Sequence, residues 1–207
     1  RLQMCVSLPT ASEQMQDVIS MQQWHASKLL TQLLASVPEL VRDKEVLELG
    51  AGFHGSVALM ASFAGARSVL ATDIDYNAVK LCQLNLHKHE PHCAAASQLD
   101  FSRLDDCQLG KFDVVLGADL IPMASMVPPL VRAVQFFLKP GGIALLVGAN
   151  SCARDGVEKL CPMMNATSNL SCRVVPITPP FARAGNLYEC HIIFSDQISQ
   201  YCLDALD

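Results

Sequence analysis

Short apolar runs alternate along the chain with longer stretches in which apolar positions recur at helical spacing. The runs Val46–Leu49, Ser68–Asp73, Ala94–Leu99, Phe112–Ala118 and Ile143–Val147 predict five strands. Between them, Ser56–Ala66, Tyr76–Leu86, Val127–Leu138 and Asp155–Met164 predict helices, and Pro128 and Pro129 are tolerated because they fall in a first helical turn. Upstream, Met15, Val18, Ile19 and Met21, then Leu29, Leu30, Leu33 and Leu34, predict one or two helices, the second beginning near Trp24 or His25 and stopping before Pro38. Cys172–Ile177 and Tyr188–Phe194 are strand-like with no helical pattern between them, so they should pair antiparallel. Strands that alternate with helices imply an α/β architecture. The expectation is a Rossmann-like, doubly wound, seven-stranded sheet, mostly parallel with an antiparallel C-terminal strand and helices on both faces. Without repeats, low-complexity segments or a break in composition, one domain over residues 1–207 suffices, with a helical preamble over 1–38 and a core over 45–195.

The chain is organised around Val46-Leu47-Glu48-Leu49-Gly50-Ala51-Gly52-Phe53-His54-Gly55. A buried-type strand enters a glycine turn and then a helix whose first N–H groups face outward. Glycine permits both positive φ and close approach of a ligand to the backbone. The Gly50-x-Gly52-x-x-Gly55 spacing with Asp73 at the next strand end also fits a dinucleotide fingerprint. Glu48 bears on the choice, because a carboxylate at that strand end repels a pyrophosphate and attracts an ammonium and a sulfonium. It favours S-adenosylmethionine.

Acids recur at the following strand ends, where open α/β sheets bind their ligands. Asp73 can accept both hydroxyls of a ribose, whereas Asp75 reads as a helix N-terminal acid. Asp100 can accept an adenine amine while Phe101 covers the ring, and Asp119 is the strongest candidate on the substrate side. Trp24, the sole tryptophan, is read either as a core anchor or as a wall of the cofactor pocket. His87-Lys88-His89-Glu90-Pro91-His92-Cys93 has zinc-type ligands, but the cluster is local and reads as a solvated loop, so no metal is assigned.

A net charge of −5 without a basic run gives no footprint for a phosphate backbone, so nucleic acid is not expected as a partner. The nine cysteines form no CxxC pair and suit a reducing cytoplasm or nucleus. No apolar run reaches the length of a membrane span, and a soluble monomer is expected. The chain opens on Arg1 rather than Met, which reads as a piece of a longer or processed protein.

Val46–Gly52, Thr72-Asp73, Leu99-Asp100-Phe101, Gly117-Ala118-Asp119 and Leu138-Lys139-Pro140-Gly141-Gly142 occur in the order and spacing of class I S-adenosylmethionine-dependent methyltransferases. More narrowly, Trp24–Leu30 and Val127–Val131 make the chain resemble the seven-β-strand protein lysine methyltransferases of the methyltransferase-16 family. The resemblance implies that Glu48, Gly50 and Gly52 hold the methionine portion of the cofactor, Asp73 the ribose, and Asp100 with Phe101 the adenine. It places Ala118 and Trp24 at the cofactor as well and turns Asp119 toward a protein substrate, with lysine as acceptor. The family pattern there is Asp-x-x-Tyr, and this chain has Pro122 at the tyrosine position. Trp24 or Phe181 would have to substitute, or the acceptor differs, or catalysis is lost. A small-molecule methyltransferase and a non-catalytic cofactor-binding scaffold are therefore the rival readings.

Overall fold

Alternate residues of the central strands belong to two separate apolar layers. Val46, Val114, Leu116, Ile143 and Leu145 join one, and Leu47, Leu49, Val115, Ala144 and Leu146 the other. Strands apolar on both sides need cover on both faces, which is the condition for a buried parallel sheet. The computed structural model, which describes residues 25–89, 93–177 and 188–195, supplies that cover. Helices α1 (His25–Ser36), α2 (Ser56–Phe63) and α3 (Tyr76–His89) line the first layer, and α4 (Val127–Phe137) and α5 (Leu160–Ala166) the second.

The strands are β1 (Glu45–Leu49), β2 (Ser68–Asp73), β3 (Ala94–Gln98), β4 (Phe112–Ala118), β5 (Leu138–Ala149), β6 (Leu170–Pro176) and β7 (Tyr188–Ser195). They form one seven-stranded sheet in the order 3-2-1-4-5-7-6. Only β7 runs against its neighbours, pairing antiparallel with both β5 and β6. The expected mixed architecture is therefore present. The β1/β4 junction, where the strand order reverses, sets the glycine turn beside Asp119.

α1 forms because Ala26, Leu29, Leu30 and Leu34 share one buried stripe, and Pro38 follows its end. Several boundaries differ from the sequence pattern. α3 continues to His89, so His87 and His89 lie on its last turn rather than in a loop, where basic groups suit the helix dipole and His87 Nδ1 pairs with Gln83 Nε2 at 3.0 Å. β5 begins at Leu138, so Lys139-Pro140-Gly141-Gly142 is an irregularity inside the strand rather than a turn before it. Gly142 is required there: a Cβ would meet the Asp113 carbonyl oxygen at 2.9 Å.

Candidate functional site

β1 carries Glu48 to the start of the glycine turn, and the turn's conformation explains its composition. Gly50, Gly52 and Gly55 all have positive φ. At Gly50 a Cβ would stand 2.6 Å from Leu120 Cδ2, so the turn lies against the segment after β4 and a side chain there would have to displace Leu120. Phe53 is completely buried beneath the turn, and its carbonyl accepts a bond from Asn85 Nδ2 of α3 at 2.9 Å. Helix α2 has no acid in its first turn and a glycine N-cap without a side-chain bond. Glu48 supplies the missing acceptor from the neighbouring strand: its Oε2 takes the Ala58 N–H at 2.9 Å. The carboxyl is only 2% exposed, and burial raises its pKa from the ordinary 4.5 to about 8, the nearby Asp73 adding to the rise. Rather than an open carboxylate facing solvent, Glu48 is an enclosed acid that becomes charged only at a cost.

At the end of β2, Asp73 clamps two turns at once. Its Oδ2 accepts the Gly52 N–H at 2.9 Å and its Oδ1 the Asp75 N–H at 3.0 Å. Burial is the largest influence on its pKa and raises it, against the lowering effect of these bonds. Asp75 accepts the Asn77 N–H at 2.8 Å, the helix-terminal role expected of it. One strand further out, Asp100 Oδ1 accepts both the N–H and the hydroxyl of Ser102, at 2.9 and 2.6 Å, which makes it a turn-forming residue whatever else it binds. Phe101 is half-buried against the second apolar layer. Glu48, Gly50, Gly52, Asp73 and Asp100 therefore stand on consecutive strand ends along one edge of the sheet.

Ala118 closes β4, largely buried, and Asp119 follows with a φ of 54°, a left-handed conformation that is uncommon for any residue but glycine. Its N–H donates to the Val147 carbonyl at 2.9 Å, tying the turn to β5. Oδ1 receives the Ala149 N–H at 3.4 Å and faces Arg154 Nη2 at 3.8 Å. Burial raises the Asp119 pKa, against lowering by the Ala149 bond, Arg154 and His25. His25, at the start of α1, stacks on Tyr188, at the start of β7, with ring centroids 5.1 Å apart. Pro122 is exposed, three residues beyond Asp119, and has no aromatic ring to offer this edge. Trp24 and Phe181 lie outside the described residues. A roomier cavity of about 220 Å³ opens between α1 and β5–β7, but Leu33, Val37, Val175 and Cys190 give it an apolar lining without converging acids. The acids converge at the strand ends instead.

A model of the lysine methyltransferase family matches residues 7–155, well over half of the chain. The chain belongs to the lysine methyltransferase family. Among its relatives is "Protein-lysine N-methyltransferase EFM3" of Chaetomium thermophilum, 31% identical over 147 residues, covering 65% of this chain and 44% of that protein. The electron transfer flavoprotein beta subunit lysine methyltransferase of Mus musculus is 30% identical over 127 residues, covering 60% of this chain and 48% of that one. The chain thus spans about half the length of the curated relatives it matches. Among solved structures, the ribosomal protein L11 methylase from Lactobacillus delbrueckii subsp. bulgaricus superposes with a TM-score of 0.62 at 22% identity, over 81% of this chain and 78% of that one. The O-methyltransferase TomG from Streptomyces achromogenes, determined in complex with S-adenosylmethionine, does so at 0.59 and 14% identity, over 83% and 79%. At those identities the likeness shows a shared fold.

Sequence reasoning did not single out Asn85, Arg154 or Tyr188, nor the Leu120 side chain. The small residues at Gly50 and Gly117 were the signal for Leu120, since a Cβ at either would collide with its side chain. Arg154 and Tyr188 reach Asp119 only through the pairing of β5 with β4 and β7, a relation no local pattern encodes.

Proposed function

We propose that this chain is a methyltransferase that uses S-adenosylmethionine and acts on a lysine side chain of a protein. One observation carries the reading within the family: an enclosed acid, Glu48, under a positive-φ glycine turn that Asp73 clamps. A buried carboxyl kept near neutrality favours a cationic ligand at the turn, because the cation offsets the burial that resists its ionisation. A pyrophosphate would add charge of the wrong sign. The names of the relatives support the acceptor class, protein lysine. The free cysteines of the described residues support a reducing compartment, cytoplasm or nucleus.

In this reading Glu48, Gly50 and Gly52 hold the amino-acid end, Asp73 the ribose, and Asp100 with Phe101 the adenine, while Ala118 and Trp24 border the cofactor. When bound, S-adenosylmethionine supplies a methyl on a sulfonium, and its displacement leaves the carbon–sulfur electron pair on a neutral thioether. The chain's own part is alignment and electrostatics. Asp119 orients the amine through an N–H, and the amine must arrive neutral, since an ammonium has no lone pair to give. The methylated nitrogen would be left as an ammonium and would lose its proton to solvent.

Calorimetric titration with S-adenosylmethionine tests the cofactor, and methyl-lysine analysis of a protein acceptor after incubation with methyl-labelled S-adenosylmethionine tests the chemistry. Saturable binding weakened in Glu48→Ala and in Asp73→Ala supports the reading. No binding by the parent chain sinks it. Exposed Pro122 motivates one other reading, a cofactor-binding domain without transfer. Under it, Pro122→Tyr leaves transfer absent while the cofactor still binds.

A further inference from the structure

Asp119 presents a problem for an amine acceptor. A lone carboxylate beside an amine stabilises the ammonium, the form that cannot react. The structure places a cation against that carboxylate. Arg154 follows β5 on a turn held by its own N–H bond to the Asn150 carbonyl at 3.0 Å, and its Nη2 faces Asp119 Oδ1 at 3.8 Å. The Asp119 side chain is 8% exposed, so water screens the pair weakly. Oδ1 also takes the Ala149 N–H, and among the described residues Oδ2 takes no hydrogen bond, leaving it for an amine N–H. The other titratable groups around this edge are His25 on α1, Tyr188, Glu189 and His191 on β7, and Asp155 beside Arg154. His191 is buried with Glu189 at 3.5 Å, and His25 is stacked on Tyr188. Arg154 is thus the permanent positive charge at Asp119 among the described residues.

We propose that Arg154 is a positioning residue that offsets the charge of Asp119, so that the acceptor pocket favours an amine in its neutral, nucleophilic form. The inference rests on the methyltransferase reading above. One elementary charge about 7 Å from the amine, at an effective dielectric of about 40, moves an ionisation by about one pH unit. Without Arg154, Asp119 keeps its grip on an amine but shifts it toward the ammonium.

The field can be read without knowing the acceptor. S-adenosylhomocysteine carries no charge at sulfur, whereas sinefungin carries an amine where the methylsulfonium stands. Calorimetry of both ligands at neutral pH and low salt gives the affinity ratio of amine to thioether for the parent chain, Arg154→Gln and Arg154→Lys. The expected result is a ratio about tenfold higher in Arg154→Gln, a parent-like ratio in Arg154→Lys, and S-adenosylhomocysteine binding within about twofold in all three. An unchanged ratio in Arg154→Gln with S-adenosylhomocysteine still bound overturns the proposal. So does loss of both ligands in Arg154→Gln and Arg154→Lys alike, which would make the residue a structural support only. If the parent chain binds neither ligand, the functional reading itself falls.

Discussion

Replacing Glu48 by Gln should change how stability depends on pH, and the sign follows from burial. The folded-state pKa lies near 8 against an ordinary 4.5, so between those values the folded chain holds a proton that the unfolded chain has lost. Raising the pH through that window therefore removes stability, at up to about 1.4 kcal/mol per pH unit for this one group. His191 acts oppositely. Burial outweighs the Glu189 carboxylate 3.5 Å away and lowers its pKa to about 4, so its contribution is lost as pH falls below about 6.5. The two slopes oppose each other in the acid range and separate above it. Between about pH 6.5 and 8 the contribution of Glu48 stands apart from that of His191 and amounts to about 2 kcal/mol, or roughly 4 to 8 °C in melting temperature for a chain of this size. Thermal melts of the parent and Glu48→Gln across that window should show the parent falling more steeply by this amount. Gln can still accept the Ala58 N–H, so the cap survives while the titration disappears. A cationic ligand at the turn should discharge the proton, so S-adenosylmethionine binding near pH 7 should release up to about one proton in the parent and less in Glu48→Gln. Calorimetry in buffers of different ionisation enthalpy measures that release. Parallel melts across the window would refute the claim that the buried acid is held protonated.

Gly50→Ala forces an alanine into a φ of 65° with its Cβ 2.6 Å from Leu120, and should cost about 1 to 3 kcal/mol in denaturant unfolding together with cofactor affinity. Lys139 Nζ meets Glu45 Oε2 at 2.6 Å and Asp113 Oδ1 at 3.0 Å, but all three side chains are about a third exposed. Lys139→Met should therefore cost no more than about 1 kcal/mol, and 1 M salt should shrink the difference in urea melts. His191→Gln should flatten the loss of stability between about pH 6.5 and 4, which a melting series in acetate and phosphate would detect. Asn85→Leu leaves the buried Phe53 carbonyl without its donor and should destabilise the chain by about 1 to 3 kcal/mol, with the loss measured by chemical denaturation.

Much of the fold could be read along the chain because each strand repeats one local rule. Val46-Leu47 and Val114-Val115-Leu116 are apolar on consecutive positions in runs short and β-branched enough to read as strands covered on both faces, and the glycines between β1 and α2 mark a turn by their chemistry alone. Boundaries failed where context overruled composition. Lys139-Pro140-Gly141-Gly142 carries every turn signal, yet it is held as an irregularity in β5, where Lys139 reaches Glu45 and Asp113 across neighbouring strands. The site divides the same way. Asp73, Asp100 and Asp119 are legible because a strand end is a local feature. The protonation of Glu48 is not, since it depends on how completely α2, packed across the turn, excludes water. Arg154 and Tyr188 arrive from elements far along the chain, brought in by sheet order alone.

The candidate acids share a construction that bears on function more than any one of them does. Each is pinned by a backbone N–H: Glu48 by Ala58, Asp73 by Gly52 and Asp75, Asp100 by Ser102, Asp119 by Ala149. All five donors lie in a turn, in or just before the first turn of a helix, or at a strand end, positions where N–H groups lack regular partners. One bond restricts a carboxylate's rotation without exhausting its acceptors, because two oxygens offer about four lone-pair sites. Each acid is therefore oriented before a ligand arrives and keeps capacity to bind one, so less conformational freedom is lost on binding. Charge imposes the opposite cost: burial raises the pKa of Glu48, Asp73 and Asp119 alike, and Asp73 raises that of Glu48 further. A neutral ligand would leave that cost in place. A ligand with positive charge at the glycine turn, and a cation such as Arg154 at Asp119, relieve it at both ends of the edge.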